Sequence, residues 1–340
     1  MNQDPAPDPT QEPRGARLGC PDLGVGIGLR VPHYRQILSE APKVDFFEVI
    51  SENFMVPGGR PRYHLDAVRE RYHIVQHGVS LAIGSPTPPS KDYLLRLKAL
   101  VSEVKPPWVS DHFCWGQARG MHLHDLLPMP YTRAAIERVV ARAKAIQDTL
   151  GVRLALENTS SYLTYTQSQM TEWEFISEVA ERADIGLMFD VNNVYVSAYN
   201  HGFDPYEFIH HVPHHRIVQI HLAGHTQRGT HILDTHSAEV ADPVWDLYRE
   251  TIGLAGPVST LIEWDDDIPP LERVLEEAER ARAVRDGAVS ARVERAARGL
   301  NPAPRFVPRA PPERRVAPAE APHGAGWSVG GPRELAYGEP

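Results

Sequence analysis

The sequence predicts an α/β protein of the TIM (β/α)8 barrel class, a single domain with disordered N- and C-terminal tails. Three observations carry this prediction. Eight short apolar runs recur between residues 24 and 265. Segments with helical periodicity separate them, and the runs end in side chains able to bind metal. Eight parallel strands with crossover helices close a barrel, and about 250 residues is a common size for one.

The runs are GVGIGL (24–29), VDFFEVIS (44–51), IVQHGVSL (74–81), WVSDHFC (108–114), RLALENT (153–159), IGLMFDVN (185–192), IVQIHLAG (217–224) and STLIEWD (259–265). They are rich in β-branched and aromatic residues and contain no proline, as strands buried on both faces require. Between them, Leu94, Leu97, Leu100, Val101 and Val104 repeat at helical spacing. After Thr132, so do Ile136, Val139, Val140, Ala143, Ile146 and Leu150. Thr171 and Glu174 have the spacing of a capping box that opens a helix through Ile176 and Val179. A doubly wound open sheet is the competing architecture. It is weakened because no G-x-G-x-x-G follows the first run.

Composition sets the outer limits. The 340-residue chain has a formal net charge of −9, which argues against a nucleic-acid binder. No run of about 20 apolar residues offers a membrane span. The opening MNQDPAPDPTQEPRG lacks the basic and apolar segments of a secretory signal, so a soluble, cytoplasmic protein is expected. Two cysteines, Cys20 and Cys114, make no disulfide framework, and Cys114 reads as a buried thiol. Residues 1–20 are Pro-, Asp- and Gln-rich, and from 284 onward Ala, Arg, Pro and Gly dominate. The expected organisation is a disordered segment over 1–20, a metalloenzyme barrel over 21–283 and a disordered tail over 284–340.

In such barrels the chemistry resides where strands end. The second run leads to Glu52 and Asn53, the third carries His77, and the fourth carries Asp111 and His112. The fifth ends in Glu157 and Asn158, and the sixth in Asp190, Asn192 and Asn193. The seventh carries His221 and leads to His225, and the eighth ends in Glu263 and Asp265. In the loop between the last two, Asp234 and His236 lie two residues apart, a chelating spacing. A lone strand histidine is more often a satisfied core residue than a ligand. Equivalent placement in successive strands tips the balance, because so many carboxylates and imidazoles at one rim need cations to relieve repulsion and desolvation. A His and carboxylate set without thiolate suits iron, manganese or zinc. There are enough ligands for two or three ions, with Glu157 and Asp190 central enough to bridge.

Other polar clusters are read more plainly. HHVPHHR (210–216) precedes the seventh run and is expected as a solvated turn on the opposite face. His122 and His124 lie on the productive face, while His33, His64, His73 and His231 are expected as surface or local structural residues.

SENF, QHGVSL, SDH, ENTSSY, DVNNVYVSAYNHG, HLAGH, DTHS and LIEWD, in this order, resemble the DUF692 (UPF0276) family over about residues 22–283. That family is grouped as multinuclear non-haem iron-dependent oxidative enzymes and includes the methanobactin biosynthesis oxidase. The resemblance implies a TIM barrel with two or three irons. One would be held by His77, His112 and Glu157, and a second by Glu157, Asp190, His221 and Glu263. A third would use Asn193, His225, Asp234 and His236. Asp111, Asn158, Asn192 and His201 would orient these ligands or meet substrate, with Glu157, Asp190 and His221 at the centre of catalysis. It further implies O2-dependent oxidation of a cysteine in a ribosomally made precursor peptide, and a small partner protein that recognises the leader peptide. The alternatives are a divalent-metal isomerase or hydrolase of the same fold, and a metal-binding protein without activity.

Overall fold

In a computed structural model, residues 17–118 and 121–300 are described. The strands in chain order are β1 (Val25–Gly28), β2 (Phe46–Ile50), β3 (His73–His77), β4 (Trp108–His112), β5 (Cys114–Ala118), β6 (Met121–Pro128), β7 (Arg153–Glu157), β8 (Gly186–Asp190), β9 (Ile217–Leu222), β10 (Thr226–Gln227), β11 (Ile232–Leu233) and β12 (Ser259–Ile262). The helices are α1 (Tyr34–Glu40), α2 (Arg60–Arg69), α3 (Lys91–Val104), α4 (Arg133–Leu150), α5 (Glu172–Ala183), α6 (Val191–His201), α7 (Pro205–His211), α8 (Asp242–Ala255) and α9 (Leu271–Ala297). Every one of the eight apolar runs forms a strand of one closed parallel barrel, in the order β1-β12-β9-β8-β7-β4-β3-β2. The ring closes where Val25, Gly26 and Ile27 pair with Thr260, Leu261 and Ile262.

Local chemistry explains the crossovers. Ser90 and Thr132 accept from the first-turn N–H groups of α3 and α4, and Thr171 with Glu174 forms the complete capping box of α5. The apolar stripes of these helices pack on the outward faces of the strands in one large core. Among the described residues, no helix is long and apolar enough to cross a membrane.

Inside the barrel, period-2 alternation sets two layers. Phe46, Val75, Trp108, Ala155, Met188, Val218 and Leu261 pack into an apolar floor. Two residues further along their strands stand Glu48, His77, Ser110, Glu157, Asp190 and Glu263, all buried. Gly26 makes room for the floor, since a Cβ there would lie 2.6 Å from the Phe46 carbonyl oxygen and 2.7 Å from its ring.

Both domain boundaries differ from expectation. Residues 17–20 are folded: Arg17 and Cys20 exchange backbone hydrogen bonds of 2.8 and 2.7 Å, and Cys20 and Leu18 pack against the floor. Arg17 donates to the carbonyls of His214 and Ala255, which ties the turn to the barrel end. At the other end, α9 runs past 284 to Ala297. Ala288 is buried, Arg285 pairs with Asp22, and Arg292 donates to the carbonyls of Gly253 and Leu254. The Arg-rich composition that suggested a tail therefore serves to dock a helix. The remaining tail assignments, 1–16 and 301–340, lie outside the described residues.

A further departure is the antiparallel hairpin of β5 and β6, which stands above the end of β4. His122 and His124 fall in β6, and their side chains lie outside the description.

Candidate metal centre

The C-terminal ends of β3, β4, β7, β8, β9 and β12 bring His77, His112, Glu157, Asp190, His221 and Glu263 to one buried rim. Glu157 is its hub. Its Oε2 lies 3.4 Å from Nε2 of His77 and 3.1 Å from Nε2 of His112, and its Oε1 lies 3.9 Å from Nδ1 of His221. The rings of His77 and His112 lie 4.6 Å apart between centroids, tilted at 59° to each other. Four groups of three ligating side chains result: His77 with His112 and Glu157; Glu157 with Asp190 and His221; Asp190 with His236 and Glu263; and Glu48 with His221 and Glu263.

Each imidazole is anchored by one nitrogen and offers the other. Nδ1 of His77 bonds the Ser110 hydroxyl at 3.0 Å, and Nδ1 of His112 bonds the Gly78 carbonyl at 3.1 Å, so both present Nε2 to Glu157. His236 is held through Nδ1 by Asp265 at 3.0 Å. His221 is reversed: its Nε2 meets Glu48 at 3.1 Å and its Nδ1 faces Glu263 at 2.9 Å. Such outer partners fix ring orientation and tautomer in metal sites.

The carboxylates are divided in the same way. Asp190 caps α6 by accepting from the Asn193 N–H at 2.6 Å through Oδ1, and Asn158 braces its backbone from both sides at 2.9 and 3.0 Å. The other oxygen of Asp190, Oε2 of Glu157 and the amide oxygen of Asn193 are buried without hydrogen-bond partners. Leaving each so costs about 1–3 kcal/mol in the absence of a cation. The donor set of imidazole nitrogens and carboxylate or amide oxygens, with no thiolate, fits iron, manganese or zinc.

Electrostatics point the same way. Burial holds His77 well below its ordinary pKa, helped by the His112 and His221 charges. Burial pushes Glu157 up to about 7 and Asp190 well above the carboxylate range, Glu157 adding to the latter. Burial opposes protonation of His112, yet Glu157 and Asp111 together lift it to about 9. At Glu263 burial works the same way, but the His221 and His236 charges outweigh it and hold that carboxyl below its ordinary value. The difficulty of ionisation that cations would relieve is therefore centred on Glu157 and Asp190.

Above the rim opens a cavity of about 480 Å³. Its walls include Tyr162 from the loop after β7, Asp125 and Leu126 from β6, and Asp234. A second chamber of about 270 Å³, between Ser80, Cys114 and Gln117, shares the Val79, Asp125 and Leu126 wall.

The model of the family described as RiPP precursor modification enzyme MbnB/TglH/ChrH matches residues 24–286. The chain belongs to that family. RiPPs are ribosomally synthesised and post-translationally modified peptides. A UPF0276 protein of Anaeromyxobacter sp. (strain Fw109-5) is 53% identical over 269 residues, covering 79% of this chain and 95% of that one. A UPF0276 protein of Caulobacter vibrioides is 54% identical over 261 residues, covering 76% and 93%. Among solved structures, an L-ribulose 3-epimerase superposes with a TM-score of 0.50 at 13% identity, covering 84% of this chain and 96% of that one. That likeness concerns the barrel alone.

Within this RiPP-modification barrel the remaining candidate residues take distinct places. Asp111 accepts from the N–H groups of His112 at 2.7 Å and Leu81 at 3.1 Å, so it shapes the loop that anchors His112. Asn192 donates to Asp234 at 2.7 Å and meets Nδ1 of His225 at 2.8 Å. Asp234 lies 2.8 Å from Nε2 of His236. His225 joins none of the four ligand groups and packs on Tyr195 instead, while His236 groups with Asp190 and Glu263. His201 meets the Ser161 hydroxyl at 2.8 Å and faces a separate apolar cavity. Glu52 accepts from the Val79 N–H and the Tyr93 hydroxyl, away from the cluster. The 210–216 stretch does precede β9 on the far face, but His214 and Arg216 are buried rather than solvated.

Two residues were missed. Arg30, just past β1, pairs with Asp265, lies 3.7 Å from Glu263 and donates to the Trp264 carbonyl at 2.9 Å. It neutralises the acidic end of β12 and fixes the carboxylate that holds His236. Glu48 was hidden in an apolar run, and only its parity with Phe46 marks it as inward-facing.

Proposed function

We propose that this rim holds two or three irons and serves the O2-dependent oxidation of a cysteine in a ribosomally made precursor peptide. The observation that supports it most is the convergence of His77, His112, Asp190, His221 and Glu263 around Glu157, with buried, unpartnered oxygens on Glu157 and Asp190. The first ion would use His77, His112 and Glu157, and the second Glu157, Asp190, His221 and Glu263. Asn193, Asp234 and His236 would offer a third set, with His225 at its edge behind Asn192. When bound, iron supplies the one-electron chemistry and thiolate affinity that side chains lack.

The chain's own residues do the rest. Burial of Glu157 and Asp190 keeps water from competing for their oxygens. Arg30 and Asp265 hold His236 and Glu263 in place. The 480 Å³ cavity admits an extended peptide segment with its cysteine directed at the rim, and the adjoining 270 Å³ chamber under the hairpin accommodates a flanking side chain. A small partner protein that recognises the leader peptide would deliver the substrate.

Metal analysis of the purified protein, followed by oxygen uptake and mass spectrometry with a cysteine-containing precursor encoded beside it, tests the reading. Bound iron, oxygen consumption and a mass change confined to the cysteine are expected. Full turnover without oxygen, or with zinc or magnesium as the sole metal, would sink it.

A further inference from the structure

We propose that Glu48 is a positioning residue that selects Nδ1 of His221 as the metal-facing nitrogen. This inference rests on the reading that the rim holds metal. Glu48 is fully buried on β2, one inward step above the floor residue Phe46. Its Oε2 lies 3.1 Å from Nε2 of His221 and accepts from Nε2 of Gln219 at 2.6 Å. Oε1 of Gln219 in turn accepts from the Trp108 indole N–H at 2.7 Å.

Nε2 of Gln219 also lies 3.0 Å from Nε2 of His221, but its shorter contact is the one to Glu48. An indole nitrogen can only donate, so the Gln219 oxygen must face Trp108 and its NH2 must face Glu48. The carboxylate and the imidazole nitrogen cannot meet lone pair to lone pair at 3.1 Å. A proton on Nε2 of His221 meets this need. Nδ1 is the nitrogen on the side of Glu263 at 2.9 Å and Glu157 at 3.9 Å, where a cation replaces the proton that the Glu263 contact otherwise requires. His77 and His112 are anchored by a hydroxyl and a carbonyl and use the opposite nitrogen. His221 has a carboxylate at 3.1 Å behind it, closer than the 3.8 Å from Nδ1 of His112 to Asp111, and such a partner also raises the basicity of the ligating nitrogen.

Glu48 also falls in a group of possible ligands with His221 and Glu263. Its Oε2 lies at the far nitrogen of the ring and already takes two donors, so that oxygen is not placed to ligate together with Nδ1, while its Oε1 is buried without a partner.

The probe is Zn2+, added to metal-free, 15N-labelled protein. In the wild type, long-range 1H–15N correlations should show His221 protonated at Nε2 and metal-bound at Nδ1. The isosteric Glu48→Gln variant keeps an acceptor but no charge. It should bind the ion at His221 about 10- to 100-fold more weakly, the range for loss of an outer-shell partner, yet reach wild-type stoichiometry at saturation. Glu48→Leu should weaken it further and let the Nε2 proton exchange faster with solvent. A wild-type His221 bound through Nε2 would overturn the inference without needing any variant to fold. So would a Glu48→Gln protein with unchanged affinity and spectrum, or one that lacks an ion even at saturation, as loss of a ligand would require. If the wild type takes up no Zn2+, Co2+ or Fe2+, the metal reading itself falls, a failure distinct from the others.

Discussion

The lower and upper layers of the barrel interior are made by the same strands, two to four residues apart, and they answer to different pressures. The floor of Phe46, Val75, Trp108, Ala155, Met188, Val218 and Leu261 is apolar and closed from below by the Arg17–Cys20 turn. The rim of His77, His112, Glu157, Asp190, His221 and Glu263 buries charge and leaves polar atoms without partners. One layer gains free energy from leaving water, while the other loses it until a cation arrives. The floor therefore serves stability and the rim serves chemistry, and substitutions should separate the two.

The sharpest separation is expected at Glu157. Glu157→Ala should lower turnover by more than about 100-fold, beyond the cost of losing an outer partner, and strip metal from the rim. The metal-free variant should melt no lower than metal-free wild type, because a buried carboxylate with an orphaned oxygen has been removed. Metal analysis and melting curves with and without chelator check both halves. A large loss of apo stability would erase the division between layers.

The mirror experiment is Met188→Ala, in the floor directly below Asp190. A fully buried methionine cut to alanine costs about 3 kcal/mol, or about 8 °C in Tm for a domain of this size. Metal stoichiometry should be unchanged. Loss of metal in a folded Met188→Ala protein would show that the layers are mechanically coupled.

A smaller, more local effect is expected at the edge of the rim. His236 is shared by Asp234, Glu263 and Asp265, whereas His77 serves Glu157. His236→Ala should lose about one ion while the set around His77 and His112 stays loaded. Loss of the ion at His77 and His112 as well from His236→Ala would mean the ions bind as one unit.

How much of this was legible depended on whether the signal was local. Strand ends such as His77, Glu157 and Asp190 stand out because polar groups terminate apolar runs. Glu48 did not, because Phe46, Phe47, Val49 and Ile50 surround it, and which parity faces inward is settled only when the barrel closes. Arg30 and Asp265 belong to segments 235 residues apart, and only the β1–β12 closure brings them together. The hairpin has no separate signal, since β5 continues almost directly from β4 and the apolar run 108–114 ends on its first residue. The length of α9 is not legible because Arg285 and Arg292 look like solvated charge until Asp22 and the last-turn carbonyls of α8 are in place.

The comparison can also be sharpened by a buried acid outside the rim that no cation relieves. Glu172 opens α5 beside an apolar cavity of about 220 Å³ lined by Tyr131, Trp173 and Phe203, and burial pushes its pKa up to about 8, against a weaker opposing bond from Tyr131. Its folded pKa lies above the unfolded value of about 4.3, so its contribution to stability is full below that value and is lost as pH rises towards 8. Two effects reduce the size: the side chain is partly exposed, and the first-turn N–H groups of α5 favour the ionised form. Glu172→Gln should therefore stabilise the protein by only about 1 kcal/mol at pH 9 and leave it unchanged or slightly weaker at pH 4. Melting curves across that range decide the matter. A Glu172→Gln curve parallel to wild type at every pH would mean that the carboxylate is already solvated, and that desolvation of acids is confined to the rim.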